Sequence, residues 1–356
     1  MTHDRDLLTV LVPFKNRYSY VRRFIDYANL APYPYQVLFA DGSAEDQVVD
    51  FLGDPAVFPN VSYRYLRCPF DASLGHFFNK VANALDHVQT PFTAIVSDDD
   101  FCFLESQRAG LRYLQEHPDY VAAVGALIDF GIVPEPRLGP ALQQVYGGFG
   151  ITGKIYRAYT YDQDTAADRI RAYLTQEVNT TLWQAVCRTD ILQDAWRTLG
   201  RLGPRDYRFA DQIIIQKLLV AGKTYGDLPV YMLHQANPAG EGMGSTMLQQ
   251  DPTWLAWIQR QGWLEDFARF VGTLGHALAE RDGLSAEAGR QKIMELFYLA
   301  SGRRLLQDVH PQHEPGIPVL TTDQLVGLLR GHSEFERIFY FLRGPLEALE
   351  RSGAAG

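Results

Sequence analysis

Apolar residues recur along this chain at two periods, and the alternation between them sets out the first hundred residues. LLTVLVPF (7–14) is a nearly unbroken aliphatic and β-branched run of the kind buried on both faces of a parallel sheet, and it stops at Pro13-Phe14. SYVRRFIDYANL (19–30) then carries apolar residues at helical spacing. YQVLFADGS (35–43) is a second buried strand that ends in the turn signal Asp41-Gly42-Ser43, and VSYRYLR (61–67) is a third. GHFFNKVANALDHV (75–88) has the helical period, and TAIVSDDD (93–100) is a fourth strand. This rhythm predicts an α/β fold with a mostly parallel, Rossmann-like sheet flanked by helices.

The pattern loosens afterwards. Residues 131–165 hold GIVPEPRLGP and YGGFGITGK, whose prolines and glycines predict a long irregular excursion serving as a lid or acceptor loop. VNTTLWQAVCRTDIL (178–192) is expected to be a strand leading into a helix. FADQIIIQKLLVAGK (209–223) has a helical apolar face with a glycine just past its end. KTYGDLPVYMLHQ (223–235) is a further strand, and ANPAGEGMGST (236–246) a glycine-rich mobile loop. From about residue 252 the chain turns to amphipathic helices. The predicted organisation is a 1–250 α/β domain, with a nucleotide-binding half to about residue 105 and an acceptor half over 106–250, followed by a helical region over 251–356.

Composition narrows the function. A formal charge of -9 and a pI near 5.5 argue against a broad nucleic-acid footprint, which needs clustered Lys and Arg. Cys68, Cys102 and Cys187 form no CxxC pair, so a disulfide framework and a zinc knuckle are both disfavoured and a reducing cytoplasm is expected. The first residues do not read as a signal peptide, and no stretch has the roughly 18 apolar residues of a spanning helix. Membrane association, if present, is expected to be peripheral, at the inner face.

The polar clusters fall where the strands end: Lys15-Asn16-Arg17, Asp41-Gly42-Ser43 and Asp98-Asp99-Asp100. In doubly wound sheets the carboxyl ends of the strands are where ligands collect. Three adjacent carboxylates between apolar stretches repel one another, so a positive partner is expected. On the residues alone the triplet fits either a hard divalent cation, which prefers oxygen ligands, or an acidic turn solvated by water.

The order VLVPFKNR, VLFADGS, an FNK-bearing helix and IVSDDDF resembles nucleotide-sugar glycosyltransferases of the GT-A fold, above all the large inverting family that includes many bacterial polysaccharide enzymes. It is also similar to the β-1,4-galactosyltransferase pattern PF[RK]NR, FNR, DxD. The resemblance covers residues 7 to about 240. It implies that Pro13, Phe14, Lys15 and Arg17 line the nucleotide site, with the two cations against ribose or diphosphate. Asp41 would accept a hydrogen bond from the ring N–H of a uracil-type base, although Asp-Gly is also an ordinary turn. Phe78, Asn79 and Lys80 would hold the nucleoside. Asp98 and Asp100 match the ends of DxD, with Asp100 the direct ligand of Mn2+ or Mg2+, and the third carboxylate lets Asp99 share in donor binding. His234 would complete the metal shell; without the resemblance it reads as a surface or hydrogen-bonded histidine.

Asp211 is the expected general base, since FADQIIIQKLLVAGK resembles the family's ED motif; on residues alone it could cap its helix. Ala210 stands where the family usually has Glu. Trp183 would offer an aromatic face to the acceptor sugar or be buried. The expected activity is metal-dependent, inverting transfer of a sugar from a UDP-type donor to a hydroxyl of a glycan or glycolipid. Two other readings compete. One is a sugar-nucleotide nucleotidyltransferase, disfavoured because PFKNR stands where a triphosphate-binding glycine loop would be. The other is a non-catalytic glycan-binding or scaffold protein, which Ala210 keeps open. The helical tail is expected to be a core or oligomer face rather than an anionic-lipid anchor, since it carries Glu265 and Asp266.

Overall fold

The computed structural model describes residues 4–176, 182–236, 253–309, 318–330 and 332–353. The start of the 178–192 segment and nearly all of the glycine-rich 236–246 loop lie outside these residues. Strands β1 (Leu8–Phe14), β2 (Gln36–Asp41), β3 (Ser62–Arg67) and β4 (Phe92–Ile95) run parallel in the order β3-β2-β1-β4. Every residue of β1 but Pro13 is buried, as its unbroken apolar run requires of a strand covered on both faces. Helix α1 (Tyr18–Ala28) follows β1, short α2 (Val49–Leu52) follows β2, and α3 (Leu74–Leu85) links β3 to β4. Phe14 pairs with Asp41, and Asp41 with Arg67, so three strands end level with one another. That register brings the turns after them to one edge.

The fourth strand stops at Ile95, earlier than the apolar pattern suggested, and residues 97–100 form a turn closed by the Asp100 N–H on the Ser97 carbonyl at 3.2 Å. Three carboxylates cannot continue a buried ladder without unpaired charge, so the chain leaves the sheet there. Strand β5 (Phe101–Cys102) and helix α4 (Leu104–Glu116) come next, then long β6 (Tyr120–Pro134), β7 (Gly147–Tyr156), α5 (Ala166–Thr175), β8 (Val186–Arg188), α6 (Thr189–Leu202), α7 (Tyr207–Ala221) and β9 (Lys223–Gln235). Beyond β4 the sheet continues through β8, β6 and β9 to β5: β6 and β9 are parallel, while β8, β5 and β7 pair antiparallel to their neighbours.

The irregular excursion expected over 131–165 is instead largely a hairpin of β6 with β7. Its glycines permit the pairing: Gly147 has φ 149°, and a Cβ there would stand 2.5 Å from the Val133 carbonyl oxygen. Composition alone reads such residues as loop.

The helices after residue 253 are α8 (Trp254–Ile258), α9 (Trp263–Asp282), α10 (Ala286–Val309), α11 (Thr322–Leu329) and α12 (Ser333–Gly353). They divide between two places. Trp257, Phe270, Leu274, Ile293 and Leu296 are buried in the same apolar cluster as β1, α6 and α7, whereas Leu329, Ile338 and Leu342 join Phe101, Phe130 and Ile155 beside the hairpin. Each such side chain removes apolar surface worth about 1.5–3 kcal/mol from water. A polar clamp adds to the first contact. Asp206 caps α7 by accepting the Phe209 N–H at 2.8 Å and is held by Arg260, which also reaches Asp266 of α9 at 3.2 Å. Among the described residues no helix is long and apolar enough to cross a membrane, and all three cysteines are unpaired thiols.

Candidate active site

The turn after β1 depends on Asn16, the only non-glycine residue with positive φ (54°) among those described. Asn tolerates this left-handed conformation because its short side chain can bond locally. Here the Asn16 N–H donates to Ser43 Oγ at 2.7 Å, and its Oδ1 accepts the Ala44 N–H at 3.1 Å, so the turns after β1 and β2 are tied together. Lys15 and Arg17 flank this reversal. Lys15 donates to the Asp71 carbonyl at 2.6 Å and lies over the Phe70 ring at 4.7 Å.

Arg17 is the positive partner of the acidic turn. Its Nε lies 3.0 Å from Asp98 Oδ1 and a terminal nitrogen 2.6 Å from Asp99 Oδ2, while its guanidinium stacks on Tyr20 at 3.9 Å. Arg23, fully buried, donates to the Asp99 carbonyl at 2.7 Å and to the Val145 carbonyl at 3.0 Å. Burial pushes the Asp98 carboxyl up to about 7, against the opposing pull of Arg17. Burial likewise lifts Asp100 to about 7, opposed by His234. The turn therefore carries more negative charge than its surroundings readily hold, which favours an incoming cation.

Around the second strand end the polar groups are tightly paired. Asp41 is fully buried and accepts the Ser43 N–H at 2.8 Å, the Tyr65 hydroxyl at 2.7 Å and Arg67 at 3.1 Å. Lys80 donates to Asp71 Oδ2 at 2.5 Å and to the Phe14 carbonyl at 2.8 Å. Burial raises the Asp71 carboxyl and lowers the Lys80 amine, each away from its charged form, and their contact opposes both. Asp71 enters this position because residue 42 is glycine: a Cβ there would meet the Asp71 carboxylate at 2.4 Å.

A short polar path leads from the acidic turn to Asp211. Asp100 accepts the Gln235 N–H at 2.9 Å and the Gln184 amide at 3.4 Å; beside Gln184, Trp183 donates its indole N–H to Asp211 Oδ1 at 3.0 Å. Asp211 lies on the second turn of α7, past the Asp206 cap, so it is not the residue that caps its helix. Burial lifts its carboxyl to about 6, with the Trp183 bond pulling the other way. His234, at the end of β9, pairs through Nδ1 with Asp129 Oδ1 at 2.8 Å. Burial lowers its pKa, but Asp100 and Asp129 outweigh burial and hold it up at about 9.

Among the described residues no three His, Cys, Asp or Glu side chains form a group able to hold a metal ion unaided. The turn does offer Asp98 Oδ2, which is buried and has no hydrogen-bond partner, with Asp100 close by in the same turn. Mg2+ and similar hard cations are often held by one or two carboxylates, with substrate phosphate and water completing the shell. The donor set fits that kind of site and does not fit a closed protein cage.

Of the residues expected from sequence, Lys15, Arg17, Lys80, Asp98, Asp99 and Asp100 lie at one edge, and the structure adds a contact between Trp183 and Asp211 that the sequence does not suggest. Other expected residues point elsewhere. Phe14 and Phe78 are core side chains, and only the Phe14 carbonyl faces polar groups. Asn79 lies against α6, where a Cβ on Gly200 would stand 2.7 Å from its amide oxygen. Trp183 is half-buried, with its polar edge committed to Asp211. Asp71, Asn16, Gln184 and Asp129 were not singled out; Asn16 alone had a local signal, an Asn between two cations directly after a strand.

No protein-family model matches the chain, and no curated protein matches it in sequence. Solved structures similar to it include S. aureus TarS, at 14% identity and a TM-score of 0.44 over 83% of this chain and 55% of that one. TarS 1–349 in complex with UDP-GlcNAc is matched at 14% identity and a TM-score of 0.43 over 83% and 90%. The mannosyltransferase PcManGT from Pyrobaculum calidifontis, in complex with GDP-Man and Mn2+, is matched at 14% and 0.42 over 98% and 87%. The chain thus spans about half the length of full TarS. All these TM-scores lie below 0.5, and the likenesses are distant.

Proposed function

We propose that this protein is a glycosyltransferase that moves a sugar, with inversion, from a nucleoside-diphosphate donor of UDP type to a hydroxyl of a glycan or glycolipid. The observation that carries the reading is the closure of Arg17 on Asp98 and Asp99 at the carboxyl edge of the parallel strands. A basic turn and an acidic turn in contact there suit a diphosphate, whose oxygens take charge-assisted bonds from Lys15 and Arg17 while the carboxylates share a cation with it. Asp98 and Asp100, with His234, would hold Mg2+ or Mn2+ against the phosphates. When bound, that cation supplies charge stabilisation for the leaving diphosphate.

The chain's own contribution to transfer is a proton acceptor. As the acceptor hydroxyl oxygen forms its bond to the anomeric carbon, Asp211 takes the hydroxyl proton, and the bond to the diphosphate oxygen breaks with its electron pair leaving on the nucleotide. A carboxyl near 6 is mostly ionised at neutral pH and is still a better base than an unperturbed aspartate. Trp183 holds Oδ1 of Asp211, and in this reading Oδ2 takes the acceptor proton. Asp41, its oxygens already bound by Ser43, Tyr65 and Arg67, reaches a uracil-type base only if one of these partners yields.

Thermal shifts over a panel of nucleotide sugars, with and without Mn2+, test the reading, because a ligand of the folded state stabilises it by mass action. A UDP-sugar is expected to raise Tm in a Mn2+-dependent manner, Asp100→Ala to abolish the metal-dependent part, and Asp211→Asn to keep donor binding while stopping transfer. No shift with any nucleotide sugar would overturn the assignment.

A further inference from the structure

Asp129 belongs to none of the motifs read from the sequence, yet four features converge on it. It pairs directly across from His234 in the parallel β6–β9 ladder, so the two side chains share a face of the sheet. The β6–β7 register slips opposite Asp129, where residues 152–154 of β7 face this single β6 residue, so the bulge lies on β7 and Asp129 keeps its regular register with β9. Its side chain is 5% exposed, with Oδ1 2.8 Å from His234 Nδ1. Its Oδ2 accepts the Tyr156 hydroxyl at 3.3 Å.

A carboxylate oxygen accepts hydrogen bonds, so this contact takes its proton from Nδ1 and turns the other ring nitrogen, Nε2, away from Asp129. The next residue, Gln235, donates its N–H to Asp100 Oδ1 at 2.9 Å, which anchors the ring one residue from the acidic turn. Histidines that bind metals commonly give their other nitrogen to a carboxylate, which fixes ring orientation and raises ligand basicity.

We propose that Asp129, aimed by the β6–β9 register and steadied by Tyr156, is a positioning residue that presents His234 Nε2 to a divalent cation shared by Asp100 and the donor diphosphate. This rests on the function proposed above. Mn2+ binding in the presence of UDP, read by electron paramagnetic resonance without turnover, tests it. Asp129→Asn should weaken Mn2+ about 10–100-fold, the usual effect of removing such a partner, and leave metal-free UDP binding unchanged. Tyr156→Phe, which keeps the carboxylate in place, should cause a smaller loss in the same direction. In the His234→Ala background, Asp129→Asn should add nothing; a purely structural role would add its full effect there. Wild-type Mn2+ affinity in Asp129→Asn and Tyr156→Phe, or full additivity with His234→Ala, overturns the inference while the function stands. A wild-type protein whose Mn2+ affinity is the same with and without UDP overturns the metal-dependent reading, and the inference with it.

Discussion

The indole N–H of Trp183 donates to Asp211 Oδ1 at 3.0 Å, so the ring expected to stack on an acceptor sugar is tied to the proposed base. Tyr173 and Tyr207 also lie near enough to feel the Asp211 charge. Burial holds the carboxyl up at about 6, and the indole bond favours the ionised form. A base must be deprotonated to act, so kcat, measured with donor and Mn2+ saturating to keep Asp98 and Asp100 ionised, is expected to fall as pH drops through about 6. Trp183→Phe removes the bond and should move that limb to higher pH, with a larger loss of rate at pH 6 than at pH 8. A pH profile that Trp183→Phe leaves in place would separate Asp211 from the titrating group.

Arg17→Ala should damage the fold as well as donor binding. Removing Arg17 takes away the cation that contacts both Asp98 and Asp99 in a largely buried setting, at a cost of roughly 3 kcal/mol. Arg17→Lys recovers only part of this, since an ammonium cannot span both carboxylates as the guanidinium fork does. Urea unfolding of the three proteins at neutral pH gives the order directly.

Gly42→Ala tests the close approach of Asp71. The added methyl occupies the place of the Asp71 carboxylate and must push it from Lys80, with an overpacking cost of about 1–3 kcal/mol. Weaker donor binding should accompany the lost stability, because Lys15 also rests on the Asp71 carbonyl. Calorimetric titration with UDP beside thermal melting measures both.

Asn16 is predicted to accept glycine and reject β-branched residues. Asn16→Gly keeps the left-handed turn and loses one exposed bond to Ala44, whereas Asn16→Val places a branched side chain at φ 54° for roughly 1–2 kcal/mol. Thermal denaturation showing equal stability for the two variants would contradict the strain account.

Much of this site was legible because it is written in strand ends. Buried runs terminating in KNR, DGS and DDD predict parallel strands and place their polar residues along one edge, where Arg17 does meet Asp98 and Asp99. The FNK tripeptide misled for a physical reason. Successive helical side chains turn by about 100°, so only one of three neighbours can face a given site, and that one is Lys80. Asp71, Gln184 and Asp129 stayed hidden because their partners come from other elements: Asp129 and His234 are 105 residues apart in sequence and adjacent only through strand register. The hairpin over 131–156 was missed because glycines that permit tight strand pairing have the same composition as a loop.

The Arg260 clamp makes the tail a structural dependant of the α/β half, and the dependence runs in both directions. Ending the chain near residue 250, where the sequence suggests a boundary, would remove Arg260 together with Trp257 and Phe270, whose rings pack on Phe209 in the first turn of α7, and open that turn to water. Such a truncated protein should lose the ordered first turns that carry Asp211, the proposed base, while the strand edge formed by β1, β2 and β4 keeps its own contacts.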